Sequence, residues 1–213
     1  MTEALTVTSR DGLALEAALD VPDEAKAGLL FCHPHPRFGG TMEAPLIHAV
    51  RDEMLRRGWA VLRFNFRGVG ASEGESSLGE AEVADARGAL DLLATRIEKP
   101  IAIAGWSFGG AVAIRTFAQE RERVGACVAI APAVEAKEGI AAGLPPPSEL
   151  GPLGPLMSVV GVNDEHVSPA AVKTWTEQVP DARFVSISAA NHFFWARYTE
   201  LATTVGDWLD MVV

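Results

Sequence analysis

Short apolar runs alternate with longer stretches in which apolar residues recur at helical spacing. The short runs predict β-strands at 29–32, 60–64, 101–104, 127–130, 157–160 and 184–187. The longer stretches predict helices at about 45–57, 79–97, 108–118, 169–178 and 195–211. Strands that alternate with helices in this way are typical of βαβ units. The pattern therefore predicts a mostly parallel sheet with helices on both faces.

Two segments depart from this alternation. Residues 5–8 and 13–17 flank the turn Asp11-Gly12 and predict a hairpin that adds antiparallel strands at one edge of the sheet. Residues 135–155 are rich in proline and glycine and predict a loop. This loop is too short to form a separate domain, so we expect residues 1–213 to fold as one α/β domain without a cap domain.

Charge and cysteine usage narrow the class of protein. The net charge of −10 at pH 7 disfavours binding to nucleic acid and to anionic membrane surfaces. Cys32 and Cys127 lie within apolar runs, which favours two reduced core thiols over a disulfide. No segment has the pattern of a signal peptide or a membrane span. We therefore expect a cytoplasmic protein, whose oligomeric state the sequence leaves open.

A serine follows one of the predicted strands in a glycine-rich turn. The run Gly105-Trp106-Ser107-Phe108-Gly109 has the Gly-x-Ser-x-Gly arrangement of a nucleophile elbow. Its glycines are needed because the chain passes close to itself at such a sharp strand-to-helix turn. The alternative is a glycine-rich turn with an incidental serine. The strand before Ser107 and the helix after it favour Ser107 as a nucleophile.

A serine nucleophile needs a base and an orienting acid, and both candidates follow Ser107 in the chain. His192 and Asp164 each come directly after a predicted strand, which places them at the edge of the sheet where ligands bind. Glu165 is the competing acid, and His166 is interpreted as a loop residue. The expected triad is therefore Ser107, Asp164 and His192.

An oxyanion hole requires backbone N–H donors near the nucleophile. One is expected from Phe108, and the other from the loop that follows the strand at 29–32. Pro34 and Pro36 have no N–H, which leaves His35 as the expected donor. The alternative is that this loop is only a rigid turn. Aromatic and large apolar residues near these positions are expected to line a substrate pocket; they are Phe38, Met42, Trp106, Phe193 and Phe194.

The combined motifs resemble those of small bacterial α/β-hydrolases related to dienelactone hydrolase, a group regarded as esterases. The matching segments are 33–36, 39–42, 65–74, 105–110, Asp164 and 192–194. The resemblance implies a lidless α/β-hydrolase fold, a Ser-Asp-His triad and no cofactor. Dienelactone hydrolases themselves use a cysteine nucleophile, so Ser107 disfavours that activity here.

Three functions follow from these observations. We expect hydrolysis of small carboxylic esters or thioesters through an acyl-enzyme, with a small-molecule ester as the partner. Cleavage of peptides or amides is the alternative, and a non-catalytic binding protein on the same fold is a third. No metal is expected, because the histidines are not clustered at metal-ligand spacing and the two cysteines lie on separate strands.

Overall fold

The computed structural model describes residues 2–213 and contains one continuous sheet of eight strands. The strands are β1 (Thr2–Thr8), β2 (Ala14–Asp20), β3 (Ala27–Cys32), β4 (Trp59–Phe64), β5 (Ile101–Trp106), β6 (Ala126–Ile130), β7 (Leu156–Gly161) and β8 (Arg183–Ile187). The helices are α1 (Pro45–Arg56), α2 (Glu82–Arg96), α3 (Phe108–Glu120), α4 (Pro147–Leu150), α5 (Pro169–Thr176) and α6 (Tyr198–Val212).

The strands lie in the order β1-β2-β4-β3-β5-β6-β7-β8. β1 and β2 form the predicted antiparallel hairpin, and β2 pairs antiparallel with β4. Every pair from β4 to β8 is parallel. The prediction of a mostly parallel sheet is therefore confirmed, and the carboxyl ends of its central strands meet at one edge.

Helices cover both faces of the sheet, so the central strands are buried on both sides. Along β3, Leu29 and Phe31 pack with α1 and α6, whereas Leu30 and Cys32 pack with α2, α3 and α5. This alternation follows from the two-residue period of a strand. It explains why the sequence of these strands is continuously apolar rather than alternating.

Two helices begin later than their apolar pattern predicts. α2 begins at Glu82 because the chain turns at Gly79, where φ is +108°, and the Glu82 carboxylate accepts the N–H groups of Ser77 and Gly79. α6 begins at Tyr198 because Phe194 and Ala196 have positive φ values that no α-helix contains. The predicted loop at 135–155 is confirmed apart from the single turn α4.

Both cysteines are fully buried free thiols on strands that are not neighbours, Cys32 on β3 and Cys127 on β6. Burial raises the pKa of the Cys32 and Cys127 thiols. Within residues 2–213, no helix has the length and apolar character needed to cross a membrane.

Candidate active site

Ser107 lies in the sharp turn between β5 and α3. Its backbone angles, φ 57° and ψ −116°, are rare for a residue with a side chain, and they mark local strain. Four hydrogen bonds hold this conformation: the Ser107 N–H donates to Ile130 O at 2.8 Å, and the Ser107 carbonyl accepts from Gly110, Ala111 and Ala133 at 3.0, 3.2 and 3.1 Å. The turn therefore presents a fixed hydroxyl at the carboxyl edge of the sheet.

The two glycines of the motif allow the backbone to approach itself. A Cβ atom on Gly105 would lie 2.1 Å from Gly109 O, and one on Gly109 would lie 2.3 Å from both Cys32 O and His33 O. These neighbours are backbone atoms, so they cannot move aside without moving β3 or α3. The steric reason predicted for both glycines is confirmed.

Ser107, His192 and Asp164 form a continuous chain of hydrogen bonds. His192 Nε2 lies 3.1 Å from Ser107 Oγ, and His192 Nδ1 lies 2.8 Å from Asp164 Oδ2. Since a carboxylate only accepts, the Nδ1–H donates to Asp164, and Nε2 is left free to accept the serine proton. Glu165, the competing acid, is exposed, and it is Asp164 that contacts His192.

The backbone holds Asp164 in a fixed orientation. Its second oxygen, Oδ1, accepts the N–H groups of His166 and Val167 at 2.9 and 2.8 Å. The Asp164 side chain is completely buried and the His192 side chain is 7% exposed. A buried carboxylate with both oxygens occupied keeps the imidazole in one tautomer and stabilises an imidazolium.

Two histidines fix the loop that follows β3. The buried His33 ring donates from Nδ1 to Pro34 O at 2.6 Å and accepts the Phe66 N–H through Nε2 at 3.0 Å. Burial lowers the pKa of His33 to about 4. The His35 ring accepts the Arg37 N–H at Nδ1 and lies 2.8 Å from Ile140 O at Nε2, so both of its ring nitrogens are engaged.

The two residues predicted to carry the oxyanion donors, His35 and Phe108, line one cavity. Within residues 2–213, the backbone N–H groups of His35 and Phe108 donate no hydrogen bond. Phe108 opens α3, so its N–H has no partner inside the helix. The helix dipole adds positive potential at this end, which suits a developing negative charge.

A cavity of about 620 Å³ opens above Ser107, and Phe108, His35 and His192 are part of its wall. Among the predicted pocket residues, Phe38, Trp106 and Phe193 line it. Met42 and Phe194 do not, so these two predictions are wrong. Met42 is buried and donates its N–H to Asn65 Oδ1 at 2.8 Å. Phe194 is fully buried in the core between the sheet and helices α1 and α6.

Several wall residues were not predicted from the sequence. His166, interpreted as a loop residue, lies with its ring 5.0 Å from that of His192. Trp195 and Tyr198, placed in the last helix by their spacing, line the cavity, as do Lys137 and Ile140 of the loop after β6. The run of three aromatic residues at 193–195, directly after His192, was the available signal for Trp195. Within residues 2–213, no three His, Cys, Asp or Glu side chains are placed to hold a metal ion.

Known proteins with this sequence pattern and fold include serine hydrolases. A family model described as Serine aminopeptidase, S33, matches residues 23–160. An uncharacterized protein from Rickettsia prowazekii is 30% identical over 190 residues, which cover 84% of this chain and 77% of that protein.

Two solved structures are similar over nearly their full length. An α/β serine hydrolase without a lid from Xanthomonas campestris has a TM-score of 0.84 and 25% identity, with 99% of this chain and 94% of that chain covered. An α/β serine hydrolase homologue from Coxiella burnetii has a TM-score of 0.84 and 30% identity, with 96% of each chain covered. Since the family model spans more than half of the chain, the chain belongs to this family of α/β serine hydrolases.

Proposed function

We propose that this protein cleaves small carboxylic esters or thioesters through an acyl-enzyme on Ser107. The observation that carries the proposal is the hydrogen-bond chain from Ser107 Oγ through His192 to Asp164. Its Ser107 end lies at a cavity large enough for a small ester. His35 and Phe108, whose backbone N–H groups are the proposed oxyanion donors, line the same cavity.

The proposed reaction has two steps. Ser107 Oγ attacks the carbonyl carbon while His192 Nε2 takes its proton, and the His35 and Phe108 N–H groups stabilise the tetrahedral oxyanion. Collapse of this intermediate breaks the bond to the alcohol or thiol, which leaves with the proton from His192. Water then repeats the sequence: His192 takes a proton from the water, and Ser107 recovers one as the carboxylic acid is released.

An activity-based fluorophosphonate probe tests the nucleophile directly. The wild-type protein is expected to be labelled at one site, and the Ser107→Ala variant is expected to remain unlabelled with an unchanged circular dichroism spectrum. Wild-type protein that is folded but is not labelled would support a non-catalytic binding protein and would overturn the proposal.

Cleavage of amides is the second candidate. Glu135 lies exposed on the cavity wall, where a carboxylate is suited to bind the amino group of an aminoacyl substrate. The description of the matching family model as Serine aminopeptidase points the same way. A panel of short-chain esters, thioesters and aminoacyl amides separates the two candidates: we expect kcat/KM to be highest for the esters or thioesters. Faster turnover of the amides, with loss of that turnover in Glu135→Gln, would favour the second candidate.

A further inference from the structure

The exposed aromatic residues are concentrated at the cavity. Among residues 2–213, only two Phe, Trp or Tyr residues are largely exposed to solvent: Phe38, which is 72% exposed, and Trp195, which is 63% exposed. Both line the cavity above Ser107. Exposing an indole to water costs free energy that burial elsewhere would recover, so an exposed tryptophan at a cavity is a candidate contact for a ligand.

The turn that carries Trp195 is held by hydrogen bonds. Asn191 Oδ1 accepts the N–H groups of Phe193 and Trp195 at 3.1 and 3.4 Å. Between them, Phe194 has a φ of +54° and is fully buried in the core. This strained conformation buries Phe194 while Phe193 and Trp195 on either side of it both reach the cavity.

Trp195 is connected to the triad through one ring. Phe193 stacks on Trp195 with ring centres 5.0 Å apart and planes 15° apart. The Phe193 ring also meets His192 edge-on at 5.5 Å and Trp106 edge-on at 6.0 Å. His166 also meets Phe193 edge-on at 5.5 Å. The stacked pair of Phe193 and Trp195 therefore lies beside the triad, and contacts with four rings hold Phe193 in place.

We infer that Trp195, supported by Phe193, forms a subsite for a planar aromatic ring in the acyl or alcohol part of the substrate. The inference rests on the proposed function and names the substrate class of the same site. A planar ring can stack in parallel on the indole over its whole face, which gains more than contact area alone. A puckered or branched alkyl group of equal size touches the same face at fewer atoms.

The alternative occupant of an aromatic face is a cation such as a quaternary ammonium group. On the cavity wall, both carboxylate oxygens of Glu43 already have partners, Arg63 at 3.0 Å and His48 at 2.6 Å. Lys137 and Glu135 both line the cavity and carry formal charges of opposite sign. The inference therefore commits to a neutral ring, and a cationic ester tests the alternative.

Matched esters that differ only in the flatness of one ring test the inference. The pairs are benzyl acetate with cyclohexylmethyl acetate, and methyl phenylacetate with methyl cyclohexylacetate. In the wild-type protein we expect kcat/KM to favour the aromatic member of at least one pair by about fivefold to tenfold, the range that stacking energies give. The ratio is expected to fall to near one in Trp195→Leu and to persist in Trp195→Phe.

Met211 supplies the matched control, because it is exposed and lies outside the cavity wall. The preference for the aromatic ester is expected to be unchanged in Met211→Ala. A wild-type ratio near one in both pairs, or a ratio that survives in Trp195→Leu, would overturn the subsite. The subsite for a neutral ring would also be overturned if the protein preferred the acetate ester of choline over the neutral ester in which carbon replaces the nitrogen, and if Trp195→Leu removed that preference.

Binding to the Ser107→Ala protein separates this inference from the proposed function. The ratio of dissociation constants within each ester pair, measured by calorimetry, needs no turnover. A binding ratio that falls to near one in the Ser107→Ala, Trp195→Leu double variant would support the subsite. This holds even if the wild-type protein hydrolyses none of the esters, a result that would overturn the proposed function alone. Turnover of both members of each pair without any preference would overturn the subsite alone.

Discussion

The ring of His35 is tied to the carbonyl oxygen of Ile140 by a hydrogen bond of 2.8 Å. Because His35 Nδ1 accepts the Arg37 N–H, the proton resides on Nε2, which donates to Ile140. The loop after β3 is thereby joined to the loop after β6 across one end of the cavity. An imidazole with both nitrogens occupied in this way is not available as a general base.

His192 is therefore expected to be the general base, and the variants test this directly. His192→Ala and Ser107→Ala should each reduce kcat by several powers of ten, because each removes one member of a unit that transfers a single proton. The double variant should be little worse than either single variant. Steady-state kinetics on a short-chain ester would show this; multiplicative losses in the double variant would contradict the assignment.

The His35→Ala variant is the matched comparison. It retains the backbone N–H that we propose for the oxyanion hole, and it loses the two hydrogen bonds of the ring, to Ile140 O and from the Arg37 N–H. We expect a rise in KM of about thirtyfold or less with a small change in kcat, since each hydrogen bond is worth about 1 kcal/mol. An inactive His35→Ala protein beside a nearly wild-type His192→Ala protein would reverse the two roles.

Asp164 and Glu165 are adjacent carboxylates, of which only Asp164 contacts His192. Asp164→Asn should lower kcat by roughly 10⁴-fold, because an amide in this position favours the wrong tautomer of the imidazole. Glu165→Gln should retain most of the activity, since Glu165 is exposed. Comparable losses in both variants would show that Asp164 is not the orienting acid.

The meeting of the triad residues at one edge of the sheet could be predicted from the sequence, because it follows from the strand topology alone. Ser107, Asp164 and His192 each follow a short apolar run, and the carboxyl ends of parallel strands meet at one edge. Residues far apart in the chain therefore come together without any knowledge of side-chain packing. The same reasoning placed the His33 to His35 loop at this edge.

Not every pocket residue could be placed in this way: Phe38, Trp106 and Phe193 line the cavity as predicted, whereas Phe194 does not. Proximity in sequence to His192 favoured Phe194 as a wall residue, but the positive φ of Phe194 turns its side chain into the core and brings Trp195 to the cavity. Helical spacing likewise assigned Trp195 to α6, because a run of apolar residues gives no sign of a strained turn before it. Which face a loop residue presents depends on backbone angles that a hydrophobic pattern does not encode.

His33 is predicted to make the protein less stable as the pH falls. Its folded pKa is about 4 because of burial, whereas the ordinary value is 6.5. Between these two values the unfolded chain binds the proton more readily than the folded protein does. The contribution of this pKa difference to the free energy of unfolding is therefore complete above the unfolded pKa of His33 and is lost as the pH falls toward 4. It amounts to about 3 kcal/mol.

The His33→Gln variant isolates this contribution. Glutamine can still donate to Pro34 O and accept from the Phe66 N–H, but it does not titrate. The free energy of unfolding by urea, measured at about pH 7.5 and about pH 4.5, should differ less in the variant than in the wild-type protein. An equal pH dependence in both proteins would show that His33 is not the source.

Gly109 is predicted to control both stability and the spacing of the oxyanion donors. A Cβ atom at this position would lie 2.3 Å from Cys32 O and His33 O, so Gly109→Ala must push α3 away from the end of β3. We expect a loss of about 3 kcal/mol in the free energy of unfolding, as for other overpacked sites. The same shift separates the N–H of Phe108, on α3, from the N–H of His35, on the loop after β3.

Gly109→Ala should therefore also lower kcat at temperatures at which the variant remains folded, because two donors that are too far apart stabilise the oxyanion poorly. Gly125→Ala is the control: its nearest neighbour to a new Cβ atom is Ile101 O at 3.8 Å, an ordinary contact, and its φ is not positive. That variant should keep its thermal midpoint and its kcat. A stable, fully active Gly109→Ala protein would mean that the spacing between α3 and the loop after β3 does not set the rate.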